Sequence, residues 1–483
     1  MVRALAIDVG SSSVRTALVS ETGVVSHVHQ QRLTITSPQP GELELDGAEI
    51  GRVVLDLAAQ TLDDGGPCDA VGVTNQRATT LVFDPLTASP VGPTLGWQDL
   101  RTVLDCLVLQ AEGLRLAPNQ SATKAKWLVA HARRAASSLR FATIETWIAW
   151  LLTQGASHVT DRSNAAITGL VSVGVNDWDP RVLELLELDP VMMPDIVDTI
   201  ADHGRATALR DAPPITALIG DQSASMFGQS IVRSGAKITF GTGAMLNMVR
   251  GSEGPASMNP FDSGCFPIVA RSQGGAITWG LEGIVLSAGS ALDWARDAVG
   301  IIDDVESSES LARSVPGSDG VWFVPALAGL GTPYWDFGAR GGFFGLTRGS
   351  SRAHLVRAIL EGIAHRGADL VDAAELETQS TIAELRVDGG MTANGFLVQH
   401  LADVTGRPVA VSPEREATTR GAGLMALVGA GLLSIDDVEG LWHPIRTIDP
   451  LLGDAERASA RTQWRTMVSR AAQTIPELSA VSF

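Results

Sequence analysis

The sequence predicts an α/β protein made of two related halves, and two observations lead to this prediction. Short apolar runs of strand character alternate along the chain with longer segments of helical periodicity, a pattern typical of α/β folds with mainly parallel sheets. Each half also contains a strand, a turn rich in glycine and hydroxyl side chains, and a second strand. One such hairpin in each half predicts a duplicated architecture with two loops that face phosphate groups.

The first hairpin lies at the start of the chain, with strands predicted over residues 4–7 and 16–19. Between them, Gly10 permits a tight turn whose successive N–H groups form an anion-binding nest. Asp8, just ahead of the nest, can hold a divalent cation through water. Three hydroxyls of the turn can donate to phosphoryl oxygens, those of Ser11, Ser12 and Ser13. The alternative is an ordinary serine-rich hairpin.

The second hairpin lies past the midpoint of the chain. A strand predicted over residues 237–240 enters a turn, and residues 244–249 leave it as a second strand. The turn consists of Gly241, Thr242 and Gly243. Each loop is a weak signal alone, but one in each half favours a nucleotide held between two lobes. Residues 228–235 are the predicted connection, which gives lobes of residues 1–228 and 229–483.

An acidic side chain ends one of the predicted buried strands. Asp221 and Gln222 follow a strand over residues 215–219. Because open α/β sheets bind ligands at the carboxyl ends of their strands, this carboxylate is a candidate site residue. The alternative is that Asp221 only caps a helix over residues 223–229.

Other polar or glycine-rich segments follow strands in the same way. An Asn-Gln-Arg sequence ending at Arg77 follows a strand over residues 70–74, and Trp97 lies in a nearby loop where it can wall a small polar site or belong to the core. A strand over residues 385–387 opens onto glycines that let a flat base approach, or that only serve the turn. The remaining predicted elements are helices over residues 126–135, 144–152 and 352–374, a helix from its N-cap Asp454, and a strand over residues 320–326.

The composition excludes several classes of function. Lys and Arg number 36 against 54 Asp and Glu, and the net charge of −18 argues against partners such as nucleic acid or an anionic membrane. No Gly-Lys-Ser/Thr, no His-Glu-x-x-His and no N-terminal Gly-x-Gly-x-x-Gly sequence occurs, so P-loop, zincin and Rossmann sites lack support. Three separated cysteines form neither a disulfide framework nor a metal pair. The first apolar run ends at Asp8, so we expect no signal peptide, no membrane span and a cytoplasmic protein.

Taken together, these segments resemble those of the FGGY family of carbohydrate kinases, and within it the glycerol kinases. The resemblance extends over nearly the whole chain in the right order. It rests on residues 8–15, 73–77, 97–102, 121–127, 158–165, 220–222, 240–243, 333–336, 339–361, 387–394 and 416–422. Each segment is modest alone, but their ordered conjunction is specific.

The resemblance implies the actin-like ATPase (ribonuclease H-like) fold, with two lobes around a central cleft, and allows a homodimer. It implies that Asp221 takes the proton from a substrate hydroxyl and that Asp8 and Asp221 hold Mg²⁺. The residues that it implies for ATP are Ser11, Ser12, Ser13, Arg15, Gly241, Thr242, Gly243, Gly389, Gly390 and Asn394. Those that it implies for a polyol are Arg77, Ala78, Trp97, Asn119, Asp221, Gln222 and Met245.

Three positions depart from the glycerol kinase pattern. That pattern has a glutamate where Ala78 stands, a tyrosine where Asn119 stands and a phenylalanine where Met245 stands. The transfer machinery is whole, whereas part of the polyol clamp is altered. Because Ala78 leaves space, we expect a somewhat larger polyol or a ketose as substrate.

The sequence therefore predicts ATP- and Mg²⁺-dependent phosphorylation of a primary hydroxyl of a small polyol or sugar. One alternative is a catalytically inactive, sugar-binding sensor on the same fold, against which Asp8, Asp221 and both phosphate loops argue. Another is an actin- or chaperone-like ATPase without an acceptor, against which the Arg77 segment and Trp97 argue. ATP turnover that requires an added polyol would separate the first interpretation from the other two.

Overall fold

The computed structural model describes residues 2–414 and 416–481. Its strands are β1 (Arg3–Val9), β2 (Ser13–Ser20), β3 (Val25–Arg32), β4 (Ile35–Thr36), β5 (Glu44–Leu45), β6 (Ala70–Asn75), β7 (Thr80–Asp84), β8 (Ser89–Pro90), β9 (Thr94–Leu95), β10 (Arg140–Thr143), β11 (Val159–Asp161), β12 (Asp195–Val197), β13 (Ile215–Gly220), β14 (Ala236–Phe240), β15 (Ala244–Gly251), β16 (Phe266–Gln273), β17 (Ala276–Val285), β18 (Trp322–Val324), β19 (Gly342–Phe344), β20 (Leu385–Asp388), β21 (Val409–Val411) and β22 (Arg446–Ile448).

Helices alternate with these strands along the chain. They are α1 (Gly47–Gly65), α2 (Val103–Ala111), α3 (Ala122–His131), α4 (Ile144–Leu152), α5 (Arg162–Ala165), α6 (Pro180–Leu185), α7 (Asp221–Gly228), α8 (Gly289–Asp297), α9 (Ser307–Arg313), α10 (Arg352–Thr378), α11 (Gly395–Thr405), α12 (Ala417–Gly429), α13 (Ile435–Glu439), α14 (Asp454–Ala471) and α15 (Pro476–Ser479). In the part of the chain that the structure describes, none of them is long and apolar enough to cross a membrane.

Two large sheets form the centres of two lobes. The first-lobe sheet has the strand order β13-β6-β1-β2-β3, and the second-lobe sheet has the order β16-β17-β15-β14-β20-β21-β22. A further sheet, in the order β10-β7-β9-β5-β4 with β8 beside β7, extends the first lobe. The pairs β11-β12 and β18-β19 form small separate sheets.

The two large sheets repeat one arrangement, which confirms the predicted duplication. In the first lobe, β1 pairs antiparallel with β2 and parallel with β6. In the second lobe, β14 pairs antiparallel with β15 and parallel with β20. The expectation of mainly parallel sheets is wrong, because the hairpins that follow β1 and β14 add antiparallel strands on one side of each parallel core.

Helix α12 covers the first-lobe sheet although it comes from the last quarter of the chain. Its buried Ala422 and Met425 pack with Ala6 and Ala217 of that sheet. On β6, a Cβ added at Gly72 would lie 2.2 Å from the Ala422 carbonyl oxygen. The helix can therefore approach the sheet this closely only because residue 72 is a glycine. The division of the chain at residues 228/229 stays a prediction, since α12 follows that point and packs on the first lobe.

Helices α7 and α12 cross in backbone contact. A Cβ built at Gly228 would lie 1.9 Å from the carbonyl oxygen of Ala417, and one built at Gly421 would lie 1.8 Å from that of Ala224. No side chain separates the two helices at these points. Their distance is therefore fixed by the two glycines, and with it the relative position of the helix N-termini.

Several predicted boundaries are corrected by local geometry. Helix α3 begins and ends four residues earlier than predicted, because Arg133 has a left-handed φ of 51° that stops the helix after His131. Strand β18 is only three residues long, bounded by the left-handed turn at Gly320 and by Pro325, which has no N–H to donate. Helix α14 has Gly453, not Asp454, as its N-cap.

The helix crossing yields the first prediction. In Gly421→Ala the added carbon collides with the Ala224 backbone, so the helices must separate. We expect a loss of about 1–3 kcal/mol or more in unfolding free energy and a lower Tm. Gly440→Ala is the matched control, because its φ is −80° and the nearest atom would be 3.7 Å away. Thermal unfolding of both variants is the measurement, and an unchanged Tm in Gly421→Ala would contradict the backbone contact.

Candidate active site

Asp221 is the first residue of α7 and lies at the carboxyl end of β13. Its Oδ1 atom accepts hydrogen bonds from Arg77 Nε at 3.2 Å and from the backbone N–H of Gln222 at 2.7 Å. Gly220, and not Asp221, occupies the N-cap position. Asp221 therefore does more than satisfy the start of the helix, because its side chain also binds Arg77 and remains 32% exposed.

Arg77 joins the two lobes at the base of the cleft. Its Nη2 atom donates to Glu282 Oε2 at 2.7 Å, and Asn247 Nδ2 donates to the same oxygen at 2.9 Å. Glu282 lies on β17 of the second lobe, whereas Arg77 follows β6 of the first. The Arg77 and Glu282 side chains are only 9% and 6% exposed. A buried ion pair thus connects the lobes immediately beside Asp221.

A second buried cation lies behind this pair. Lys237 of β14 is fully buried, and its Nζ atom donates to Thr239 Oγ1 at 2.6 Å. Burial lowers the pKa of Lys237, and the charges of Asp388, Asp221 and Glu282 oppose that shift. Burial raises the pKa of Asp221, whereas the positive charge of Arg77 lowers it. The result is a carboxylate of increased basicity surrounded by fixed charges.

Asp8 lies at the end of β1, on the same edge of the first-lobe sheet as Asp221. Thr419 Oγ1, in the first turn of α12, donates to its Oδ2 atom at 2.8 Å. Burial raises the pKa of Asp8 to about 6, with the Thr419 hydrogen bond and the Arg15 charge acting against the shift and the Asp221 charge adding to it. The negative charge of Asp221 is therefore felt at Asp8.

The first predicted phosphate loop is a tight turn in which two of the three serine hydroxyls are hydrogen-bonded to other side chains and one is exposed. The N–H of Gly10 donates to the Ser13 carbonyl oxygen at 2.9 Å. Ser11 Oγ accepts from Trp97 Nε1 at 3.1 Å, and Ser13 Oγ accepts from Gln30 Nε2 at 2.9 Å, whereas Ser12 is exposed. Arg15 forms an ion pair with Glu416, which precedes α12. Trp97 is thus tied to the phosphate loop, and Arg15 to the helix that also contacts Asp8.

The glycines of the second-lobe loops divide into packed and open positions. A Cβ at Gly243 would lie 2.5 Å from the Val285 carbonyl oxygen, and one at Gly389 would lie 2.3 Å from that of Phe240, so both are required for packing. A Cβ at Gly241 would meet nothing closer than 3.9 Å, and one at Gly390 nothing within 4 Å. Gly241 and Gly390 are exposed and leave free the volume that a ligand would need.

Two other residues predicted for the nucleotide differ in availability. Thr242 is exposed beside Gly241, and its carbonyl oxygen accepts from the N–H groups of Ala288 and Ser290. Asn394 is occupied, because its Oδ1 atom caps α11 through the N–H of Leu397 and its Nδ2 atom donates to Ser308.

The predicted polyol wall consists of residues of unequal exposure. Ala78 is buried and has a left-handed φ of 60°, whereas Asn119 is exposed at the rim. Lys124 lies beneath them, fully buried, and its Nζ atom donates to the carbonyl oxygens of Trp97 and Asn119 at 3.2 and 3.3 Å. Burial lowers the pKa of Lys124 to about 7. Met245 lies two residues from Asn247 on β15, and therefore on the same, cleft-facing side of the strand.

Asp8 and Asp221 suit Mg²⁺, which takes oxygen ligands and often uses one or two carboxylates together with phosphates and water. Within residues 2–414 and 416–481, no group of three or more His, Cys, Asp or Glu side chains is arranged to hold a metal ion. Gln76 follows β6 beside these carboxylates and is 2% exposed, yet both its side-chain polar atoms lack a hydrogen-bond partner within these residues. The position therefore has free capacity for a bound water or ligand group.

Sequence reasoning missed the second-lobe side chains of this centre. Glu282 and Asn247 lie on strands whose other residues are mostly apolar, and a polar residue inside such a run was the available signal. Lys237 is one of only three lysines in the chain. Thr419 gave no local signal, because its contact with Asp8 joins residues 411 positions apart.

Two family models match the chain. The model of the N-terminal domain of the FGGY family of carbohydrate kinases matches residues 3–228, and that of the C-terminal domain matches residues 236–430. The glycerol kinase of Aromatoleum aromaticum is 39% identical over 490 residues, which cover 97% of this chain and 98% of that protein. The glycerol kinase of Deinococcus radiodurans is 36% identical and covers 97% of each.

Solved structures have the same architecture. The structure of Plasmodium falciparum glycerol kinase with ADP has a TM-score of 0.91 at 26% identity, covering 100% of this chain and 99% of that one. The xylulose kinase of Lactobacillus acidophilus has a TM-score of 0.86 at 19% identity, covering 97% of each chain. The predicted actin-like ATPase fold is confirmed.

The open glycines yield the second prediction. The Cβ that Gly241→Val adds would meet no atom closer than 3.9 Å and lies beside the second-lobe loop, so we expect weaker ATP binding with little change in Tm. Gly349→Val is the matched control, since Gly349 is exposed, has no left-handed φ and would meet only Thr347 Oγ1 at 3.5 Å. Calorimetric titration with ATP is the measurement. Equal ATP affinity in both variants would exclude Gly241 from the nucleotide site.

Proposed function

The chain belongs to the FGGY family of carbohydrate kinases, and we propose that Asp221, Arg77 and Glu282 form the centre at which it carries out that family's reaction. Its enzyme class is that of a phosphotransferase, which passes a phosphoryl group from ATP to an alcohol group of a polyol or sugar. The observation that carries the assignment of the centre is the buried Arg77–Glu282 pair, which holds the half-exposed Asp221 where the lobes meet.

In this proposal Asp221 is the general base. As the substrate oxygen bonds to the γ-phosphorus of ATP, its proton passes to an Asp221 carboxylate oxygen. The bond between that phosphorus and the β–γ bridging oxygen then breaks, which releases ADP. Arg77 and the backbone N–H of Gln222 both donate to Oδ1 of Asp221, which leaves Oδ2 to take up the proton. The raised pKa of Asp221 favours proton uptake, and its activity as a base is lost as the pH falls through that pKa.

Asp8 is proposed to hold Mg²⁺, with Asp221 as the second carboxylate. The Thr419 hydrogen bond engages Oδ2 of Asp8 and fixes the direction of the side chain. When bound, Mg²⁺ neutralises the charge that develops on the phosphoryl oxygens. The negative charge of Asp221 raises the pKa of Asp8, and a bound cation would offset this repulsion, which supports the assignment.

The nucleotide is proposed to lie along the second-lobe loops. The open positions Gly241 and Gly390 support this, as does the exposed Thr242. Ser12 extends the phosphate contacts from the first lobe. The Plasmodium falciparum glycerol kinase of the same fold was solved with ADP.

The substrate is proposed to be a polyol or ketose larger than glycerol, although the curated relatives are named glycerol kinases. Ala78 and Asn119 replace a carboxylate and a phenol of that subfamily's pattern. Each lost hydrogen bond to a buried hydroxyl removes about 1–3 kcal/mol of discrimination. A dimeric state and a cytoplasmic location stay predictions.

The third prediction tests the base. Asp221→Asn keeps the shape of the side chain but cannot take up the proton, so kcat should fall about 10²–10⁴-fold. Asp293→Asn, an exposed carboxylate on α8, is the control and should leave kcat unchanged. ADP release is measured for each variant with and without added polyols and sugars. Near-normal turnover in Asp221→Asn would show that Asp221 is not the general base.

The same assay separates the enzyme from its alternatives. A kinase releases ADP only when an acceptor is present, whereas an ATPase releases it without one. A sensor binds the sugar and releases none. A screen over polyols, aldoses and ketoses of three to seven carbons therefore tests the function and identifies the acceptor together.

The fourth prediction concerns specificity. We expect kcat/KM for glycerol to be lower than for at least one polyol or ketose of four to seven carbons. The double variant Ala78→Glu, Asn119→Tyr should shift the preference toward glycerol. Because Ala78 is buried, Asn119→Tyr alone is the companion variant whose exposed site tolerates the change. Glycerol outranking every longer candidate in the wild type would refute the proposal.

A further inference from the structure

A buried polar cluster lies directly behind Arg77 and Asp221, and it consists of Asp161, Ser163, Asn164 and Asn75. We propose that this cluster, here called the hub, positions both catalytic segments and that Ser163 is a positioning residue for the base. The inference rests on the proposed role of Asp221. All four side chains are at most 2% exposed, so none of them reaches the substrate or the cleft.

The first arm of the hub holds the strand end that carries Asp221. The backbone N–H of Gly220 donates to Ser163 Oγ at 2.8 Å. Ser163 Oγ in turn donates to Asp161 Oδ2 at 2.6 Å. Gly220 is the N-cap of α7 and the residue before Asp221, so this chain of two hydrogen bonds fixes where the helix begins.

The second arm holds the segment that carries Arg77. Asn164 Nδ2 donates to Asp161 Oδ1 at 2.7 Å and to Asn75 Oδ1 at 3.0 Å, and Asn75 Nδ2 donates back to Asn164 Oδ1 at 3.0 Å. Asn75 Nδ2 also donates to the carbonyl oxygen of Gln76 at 2.9 Å. The peptide that leads into Arg77 is thus fixed by the carboxylate that also serves Gly220.

The two arms meet again at the site itself. A Cβ on Gly220 would lie 2.7 Å from Arg77 Cγ and Cδ, so the arginine stem lies directly over the glycine. The distance between Arg77 Nε and Asp221 Oδ1 therefore depends on how β6 and β13 end relative to each other. Asp161 fixes the relative position of these two strand ends. Its Oδ2 atom is linked through Ser163 to β13, and its Oδ1 atom is linked through Asn164 to β6.

This arrangement predicts a kinetic signature that loss of stability alone does not produce. Ser163→Ala removes the acceptor of the Gly220 N–H and lets the start of α7 shift. Small displacements of a catalytic group reduce the chemical step strongly, and we expect kcat to fall about 10-fold or more. ATP binding should stay within about 2-fold, because the hub's hydrogen bonds reach neither the second-lobe loops nor Ser12 of the first lobe. Ser163→Thr, which keeps the hydroxyl, should recover most of the rate.

Thr168→Val is the matched control. Thr168 is as buried as Ser163 and lies five residues away, and its hydroxyl bonds only to the backbone of Ala165 and Leu170. The Thr168→Val variant loses a buried hydroxyl that does not contact Gly220. Its Tm should therefore fall about as much as that of Ser163→Ala, while its kcat stays near the wild-type value. Single-turnover phosphoryl transfer, ATP affinity by calorimetry and Tm are measured for each variant.

The outcomes distinguish the hub from the proposed function. Wild-type kcat in Ser163→Ala, or an equal loss of kcat in Thr168→Val, overturns the positioning role even when Asp221→Asn is inactive. Normal activity of Asp221→Asn instead overturns the proposed base. Should Ser163→Ala not fold, Asp161→Asn is tested instead. The amide NH₂ group of the new asparagine then faces a donor where Asp161 has an accepting oxygen. Reduced kcat with retained ATP affinity in that variant supports the hub, and unchanged kcat overturns it.

Discussion

The backbone contact between helices α7 and α12 is the constraint on which the site depends. Gly228 and Gly421 let the two helices approach until only backbone atoms separate them. One helix begins at Asp221, and the other presents Thr419 to Asp8. The parallel strands β1, β6 and β13 bring the two carboxylates to one edge of the first-lobe sheet, and the helix crossing sets the distance between the start of α7 and Thr419 beside them. A bulkier residue at either glycine would change that distance directly.

The charges of the centre are arranged for orientation rather than for stability. Arg77, Glu282 and Lys237 are nearly or fully buried, and removing such groups from water costs free energy that their mutual attraction only partly offsets. What the cluster provides is fixed geometry around Asp221 before any substrate is bound. Phosphoryl transfer is accelerated mainly by such preorganised charge and positioning, since the protein forms no covalent bond in it.

Local signals in the sequence predicted the strand ends and the turns of the site. The positions of Asp8, Arg77 and Asp221 after buried strands followed from short apolar runs, and helix α4 has the predicted bounds. The boundaries of α3 could not be predicted, because a single left-handed residue ends it. Contacts between distant segments were also beyond the sequence, as in Glu282, which meets Arg77 across 205 positions. The hairpins β1–β2 and β14–β15 were predicted, whereas the antiparallel strands β16 and β17 that extend the second-lobe sheet were not.

The charged centre is built by both lobes, whereas the proposed substrate wall at Ala78 and Asn119 is built by the first lobe. This separation allows one architecture to bind different acceptors. The charged centre draws residues from both lobes, with Arg77 and Asp221 on one side and Glu282 and Lys237 on the other, so a change there disturbs transfer and lobe contact together. Ala78 and Asn119 belong to the first lobe, and their side chains take no part in the ion pairs that join Arg77 to Asp221 and Glu282. In the proposed site, a substitution at Ala78 or Asn119 alters the shape presented to the substrate, while the hub maintains the distance between Arg77 and Asp221. The departures from the glycerol kinase pattern at Ala78 and Asn119 therefore lie outside the ion pairs of the charged centre.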